Sequence, residues 1–344
     1  MKKMLQNLVK YPIIQAPMAG GASTPVLAAA VSNAGGLGFL AAGYKTAEDV
    51  RKEIVQIRQM TEKSFGVNVF VPSNESVDEE ALAEYRQNIE QEALKIETTI
   101  GEAYSDDDEW SQKIAVLKEE RVPVVSFTFG CPTEEVIREL QQGGSIVIVT
   151  VTNVEEAKIA QERGANAICA QGIEAGGHRG SFKNETEEDY GLLVLIRLIQ
   201  QEIDLPIIAA GGIMNGKDVA AVLTAGATAA QLGTAFLRCP ESGANSVHKA
   251  ALVDTRFEKT ALTRAFSGRR ARGLVNYFLT TYSAEAPAAY PHLHHMTKTM
   301  RKVAGQKNEP GLMALWAGQG HRLAKELPAG EVVRELVQMS NLKF

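Results

Sequence analysis

A histidine set among glycines is the feature of this sequence with the most chemical content. The stretch Gln171-Gly-Ile-Glu-Ala-Gly-Gly-His-Arg-Gly-Ser181 follows the apolar run Ala167-Ile-Cys-Ala170. Glycine lets backbone approach a ligand closely or take φ > 0 without a Cβ clash. His178 would then stand beside a ligand-sized gap at the end of a strand. Imidazole titrates near neutrality, so it can accept a proton or hydrogen-bond an anion. A loop with a surface histidine is the plainer reading of the same residues. Arg179 beside it reads as a solvated loop residue, or as positive charge near an anion.

Three amides, Asn68, Gln171 and Gln231, sit in or at the ends of apolar strands. Burying an amide without partners costs roughly 1–3 kcal/mol. Each needs partners, either in neighbouring loops or on a polar planar cofactor whose carbonyls and ring nitrogens suit an amide. Gly211-Gly212 and Gln231-Leu-Gly-Thr234 close two consecutive strand patterns. Barrel enzymes commonly hold a phosphate at this place on backbone N–H groups. One Gly-Gly after a strand is often only a turn, and the signal lies in the pair. No P-loop and no strand-borne GxGxxG fingerprint occurs.

The elements that must position these residues follow a βα rhythm. Apolar runs predict strands at 11–16, 37–40, 65–71, 122–127, 145–150, 167–171, 205–210 and 229–232. They are apolar throughout rather than alternating, as strands covered on both faces are. Thr24 with Pro25, Thr46, Thr133 and the Asn153/Glu156 pair supply helix starts. Residues 72–121 are polar and largely helical in composition, an enlarged crossover. Eight such units fit a (β/α)8 TIM barrel, with a doubly wound open sheet as the alternative. The repeats Arg163-Gly-Ala-Asn-Ala and Ala225-Gly-Ala-Thr-Ala, each leading to a glutamine, favour the barrel. After about residue 240 the rhythm stops. The expected division is a barrel domain over 1–240 and a smaller helical C-terminal lobe over 241–344, part of which completes the barrel.

Composition narrows the function classes. The chain has 344 residues, 45% apolar and 22% charged, with net charge −5. It can bury a core without staples. No basic stripe points to nucleic acid. Three scattered cysteines, Cys131, Cys169 and Cys239, suggest neither disulfides nor a zinc site. His292, His294 and His295 lack dependable metal spacing, so no metal is expected. The acidic run 106–109 reads as a solvated loop. Lys2 and Lys3 precede no apolar signal region and no 18-residue apolar run exists, so the expected setting is cytoplasmic and away from membranes.

Several motifs resemble one family in order along the chain. Gln15-Ala-Pro-Met-Ala-Gly-Gly21, Gly66-Val-Asn-Val69, the stretch 171–180, Ala209-Ala-Gly-Gly-Ile213 and Gln231-Leu-Gly-Thr-Ala-Phe236 are similar to the nitronate monooxygenases. Ala265-Phe-Ser-Gly268, Ala271-Arg-Gly273, Tyr290-Pro291 and Trp316-Ala-Gly-Gln319 resemble the propionate-3-nitronate-oxidising branch. The resemblance implies an FMN-containing barrel with a smaller domain beside the flavin. It implies that Asn68, Gln171, Gly176, Gly212, Gln231, Leu232, Gly233 and Thr234 hold FMN, with Met18 near its ring. Gly212 and Gly233-Thr234 would take the phosphate. His178 matches the active-site histidine, which removes the α-proton of a neutral nitroalkane or positions an anionic nitronate. The implied reaction oxidises an alkyl nitronate with O2 to a carbonyl compound and nitrite or nitrate, a detoxification.

Two other functions compete with this expectation. FMN-dependent enoyl-acyl-carrier-protein reductases share the barrel and a similar Glu-Ala-Gly-Gly-His stretch. A flavin-binding sensor or scaffold would keep the phosphate cup without needing His178. Tyr290 and Lys298 are candidates for a substrate carboxylate.

Overall fold

In the computed structural model the described residues are 8–73, 75–185 and 188–342. The basic start with Lys2 and Lys3 lies outside them. Nine strands in chain order carry the site: β1 (Ile13–Gln15), β2 (Gly38–Ala41), β3 (Phe65–Phe70), β4 (Val124–Thr128), β5 (Ile146–Val151), β6 (Ala167–Gln171), β7 (Gly177–His178), β8 (Ile207–Ala210) and β9 (Ala229–Leu232). All but β7 form one parallel sheet in the order β1-β9-β8-β6-β5-β4-β3-β2. A parallel bridge between Ile14 and Leu37 joins its two edges and closes the barrel. All eight predicted strands are present, each end within two residues of its expected position.

Burial explains the apolar runs. Ile14, Phe39, Val124, Ile148, Cys169, Ile208 and Ala229 fill the barrel interior as one cluster. A larger cluster joins the outward side chains of the strands to the surrounding helices. Parallel strands covered on both faces leave no polar side to alternate. The helix Pro25–Asn33 starts as its sequence predicts, with the Thr24 hydroxyl accepting from the N–H of Leu27. Thr46, Thr133 and Asn153 cap their helices in the same way. Glu156 departs from the capping-box expectation. Its carboxylate accepts from the N–H groups of Thr152 at 2.6 Å and Phe182 at 2.7 Å, tying the β6 loop to the barrel.

The lobe is less purely helical than its composition suggests. β10 (Thr260–Thr263) and β11 (Ala271–Leu274) form an antiparallel sheet with β7. His178 pairs with Ala271 in its register. The lobe's apolar cluster also draws on both sides of residue 240. Tyr85, Ile89 and Ala93 from the helix Glu79–Lys95 pack with Phe266, Phe278, Met296 and Met300. The Tyr85 hydroxyl donates to the Ala265 carbonyl at 2.7 Å. The enlarged crossover is therefore a piece of the lobe inserted between β3 and β4. The chain finally returns to the barrel, where the helix Ala329–Ser340 packs beside the helices Gly216–Thr224 and Pro25–Asn33.

The acidic run 106–109 is not a free solvated loop. Asp108 accepts from the N–H of Tyr44 at 3.0 Å and pairs with Lys113 at 2.8 Å. Glu109 accepts from the N–H of Ala47 at 2.7 Å. The run anchors the β2 loop, an arrangement that local charge patterning does not encode.

Candidate active site

The C-terminal ends of the barrel strands open into a cavity of about 820 Å³. His178, Met18, Asn68, Gln171, Gly176, Gly212, Gln231, Leu232, Gly233 and Thr234 all line it. They arrive on six strands or the loops after them, so closing the barrel brings them together. Buried Gln15 supports the first of these loops. It accepts from the N–H of Phe39 at 2.9 Å and donates to the Ser23 hydroxyl at 2.9 Å, which in turn accepts from the N–H of Met18.

The three amides differ in what they keep free. Gln171 is largely committed: it donates to the His178 carbonyl at 3.0 Å and accepts from Arg179 and from the N–H of Gly180. Asn68 spends its NH2 on Ser126 and Thr128, leaving its carbonyl oxygen as an acceptor. Among the described residues the Gln231 side chain makes one polar contact, with the Cys169 thiol at 3.3 Å. Neighbouring loops therefore satisfy Gln171, whereas Asn68 and Gln231 retain capacity toward the cavity.

The far end of the cavity is made of backbone. The N–H groups of Gly212, Gly233 and Thr234 meet no acceptor among the described residues. The Thr234 hydroxyl accepts from the N–H of Gly318 at 3.0 Å, and the N–H of Gln319 reaches the Glu174 carbonyl at 3.0 Å. The segment 316–319 is thereby sewn to the glycine loop. Gly176 is required at this seam, since a Cβ there would lie 2.3 Å from the Gly318 nitrogen. Gly177 has φ +74, which a side chain would strain.

His178 faces a different environment. Its Nε2 lies 2.8 Å from the Ser267 hydroxyl, and its ring centroid is 5.4 Å from Trp316 and 5.8 Å from Phe129. Burial, reinforced by the positive charges of Arg269 and Arg301, pushes its pKa down to about 3. The imidazole is therefore neutral across the physiological range. Arg269 is buried over the Phe129 ring, 4.1 Å from its centroid, and donates to the Ser181 and Arg179 carbonyls.

Arg179 is not the solvated residue its loop position suggests. It is 2% exposed, donates to the Gln171 and Gly172 carbonyls at 3.1 and 2.8 Å, and faces Asp189 at 3.9 Å. Its charge braces the loop from behind. Lys298 lines the cavity. The Tyr290 hydroxyl donates to that of Tyr44 at 3.3 Å, while its ring packs edge-on to Phe129 and His178. Tyr44, His248, His294 and Arg301 also line the cavity. Their spacing carries no motif. His294 and Arg301 share a wall only because the helix His292–Gln306 turns one face inward. No cluster of three metal-binding side chains exists among the described residues.

The cavity's charge is one-sided. Lys45, Lys298, Arg301 and Lys302 line it, and no Asp or Glu does so among the described residues. Lys45 is paired with Glu53 at 2.7 Å. A closed parallel barrel with such a cavity at its strand ends defines an enzyme for a small molecule.

The sequence profile described as Nitronate monooxygenase matches residues 2–339. The chain is 43% identical to the nitronate monooxygenase of Pseudomonas aeruginosa over 340 residues, covering 96% of each chain. It is similar in structure to the nitroalkane oxidase of Streptomyces ansochromogenes, with a TM-score of 0.96 and 51% identity over 98% of this chain and 97% of that one. FabK from Thermotoga maritima superposes less well, with a TM-score of 0.77 and 29% identity over 98% and 94%. The chain belongs to the nitronate monooxygenase family, a family of flavin-dependent oxidoreductases.

Proposed function

We propose that this enzyme binds FMN and oxidises alkyl nitronates, propionate 3-nitronate among them, with O2 to a carbonyl compound and nitrite or nitrate. The observation that carries this reading is a neutral histidine in a cavity lined by cations, with no carboxylate among the described residues that line it. Such a cavity suits an anion, and a nitronate is an anion before it arrives.

The residues fit the cofactor. The unengaged N–H groups of Gly212, Gly233 and Thr234 suit its phosphate. The free oxygen of Asn68 and the amide of Gln231 suit the polar edge of its ring system, with Met18, Leu232, Gly176 and Gln171 completing the walls. When bound, FMN would supply the redox chemistry, the protein contributing placement and electrostatics.

His178 is the catalytic residue in this reading. With its pKa near 3 it is a weak proton acceptor. Its work is to orient an already deprotonated nitronate, and the Ser267 hydroxyl holds its ring in place. Proton removal from neutral nitroalkanes is correspondingly slow. Trp316, Phe129 and Tyr290 pack around the ring and limit the access of water.

The test begins with the absorption spectrum of the purified protein, followed by anaerobic mixing. Propionate 3-nitronate is expected to bleach the flavin bands rapidly, and NADH or NADPH is not. Fast bleaching by a nicotinamide with none by the nitronate would transfer the protein to enoyl reduction. A protein purified without flavin would remove the cofactor assignment.

A further inference from the structure

Arg301 is a half-buried cation on the cavity wall. Arg179 faces Asp189 at 3.9 Å, and Lys113 holds Asp108 at 2.8 Å. Arg301 has no carboxylate partner among the described residues. Its own helix holds it instead. Nε donates to the Thr297 hydroxyl at 3.0 Å, and Nη2 donates to the His294 carbonyl at 3.1 Å and to His294 Nδ1 at 3.3 Å. A guanidinium has five N–H donors and no acceptor. His294 Nδ1 must therefore be the acceptor, and the neutral ring carries its proton on Nε2. Three donors are used, and the two hydrogens of Nη1 remain uncommitted on a side chain that lines the cavity. A cation partly withdrawn from water without a counter-ion favours an anion that reaches it.

The surroundings place this cation at the substrate end. His294 stacks on Tyr44 with centroids 3.8 Å apart. The Tyr44 hydroxyl accepts from Tyr290, whose ring centroid is 6.0 Å from that of His178. This series of rings links Arg301 to His178 rather than to the backbone N–H groups of Gly212 and Gly233.

We propose that Arg301 is a specificity-determining residue, whose Nη1 receives an oxyanion of the substrate, and that His294 is the positioning residue that aims the guanidinium. The inference rests on the nitronate reading of the cavity. It deepens that reading by making the preference for charged substrates a property of one side chain. Lysine would keep the charge without the planar fork.

The experiment uses the flavin-loaded protein and two readouts. Nitrite, a small O–N–O anion, is titrated against the flavin spectrum, and KM and kcat are measured with propionate 3-nitronate. Arg301→Met is expected to weaken nitrite binding about 10- to 100-fold, the range for hydrogen bonds to charged groups. KM should rise similarly while kcat stays within a factor of about 3. Arg301→Lys should recover part of the loss. His294→Phe keeps a ring to stack on Tyr44 but offers the guanidinium no acceptor, and should weaken nitrite about 3- to 10-fold. Unchanged nitrite affinity and KM in Arg301→Met would overturn the proposal. So would loss of FMN that Arg301→Lys restores, since the residue would then serve the cofactor. If Arg301→Met does not fold, wild-type affinity in both Arg301→Lys and His294→Phe overturns it equally. Nitrite binding that depends on Arg301 in a protein inert toward nitronates would uphold the anion site and sink only the nitronate reading.

Discussion

The two ends of the cavity are built on opposite plans. At the β8–β9 end, the groups offered are backbone N–H of Gly212, Gly233 and Thr234, on two adjacent strands. At the lobe end they are side chains from distant segments: Tyr44 from the β2 loop, His178 from β7, Ser267 from the lobe, and His294 and Arg301 from one late helix. Backbone donors are available whatever the side chains are, so the first end can serve a constant ligand. The second can change its substrate by single substitutions. It also holds neutral histidines beside cations, whereas the groups offered at the backbone end are N–H donors that do not titrate.

The largest effect should come from separating the two ends chemically. His178→Ala is expected to lower turnover of neutral nitroalkanes about 100-fold, the low end of general acid–base help, because a base with a pKa of about 3 takes a proton weakly. Turnover of preformed nitronates should fall only about tenfold, because no proton need be taken. FMN should stay bound. Equal rates for mutant and wild type with both substrate classes would take His178 out of the mechanism.

Acid should attack the lobe end. Burial lowers His178 to about 3, His248 to about 4, and His294 well below the ordinary value. Below the unfolded histidine pKa of about 6.5, the unfolded chain binds protons that the native chain refuses, so stability falls as pH falls. The window runs from about 6.5 down toward the folded values. All three groups act in the same direction, so their effects add as pH falls through this window. Thermal unfolding between pH 7.5 and 5 checks this, and a Tm flat across that range would contradict it.

The seam between the ends is sensitive to volume. Gly176→Ala would force a Cβ against the backbone of residues 317–318. A destabilisation of about 1–3 kcal/mol is expected, read as a lowered unfolding midpoint, with flavin lost more readily. An unchanged midpoint would mean that the two segments can part freely.

The smallest effect concerns Lys298, exposed on the cavity wall. Lys298→Met should raise KM for propionate 3-nitronate about 2- to 5-fold, as exposed charges contribute up to about 1 kcal/mol. Ethyl nitronate, which has no carboxylate, should be affected less. Equal changes for both substrates would deny Lys298 a carboxylate-binding role.

Particular residues mark where sequence reasoning succeeds. Thr24, Thr46 and Thr133 cap where expected, because a hydroxyl acts within three residues of its own position. The residues of the backbone end were legible because glycines and strand ends are local signals. Arg179 escapes sequence reasoning because glycines around a charge look exposed, and only the packed loop gives that charge three carbonyl and amide oxygens to hold. The role of the acidic run 106–109 is hidden for the same reason, its partners Tyr44, Lys113 and Ala47 lying on other elements. Tyr44 and Arg301 carried no signal, since a lone tyrosine and a lone arginine in polar stretches fit any exposed surface.

By itself the sequence determined the barrel, its eight strands, the backbone end of the cavity and the family. These follow from periodicity, turn chemistry and short motifs, each a property of neighbouring residues. Tertiary structure alone decided which charges are buried and unpaired, which histidines are neutral, and which face of the helix His292–Gln306 meets His178. Burial and electrostatics depend on what surrounds a group in space, and for these groups the surroundings lie up to 246 residues away along the chain.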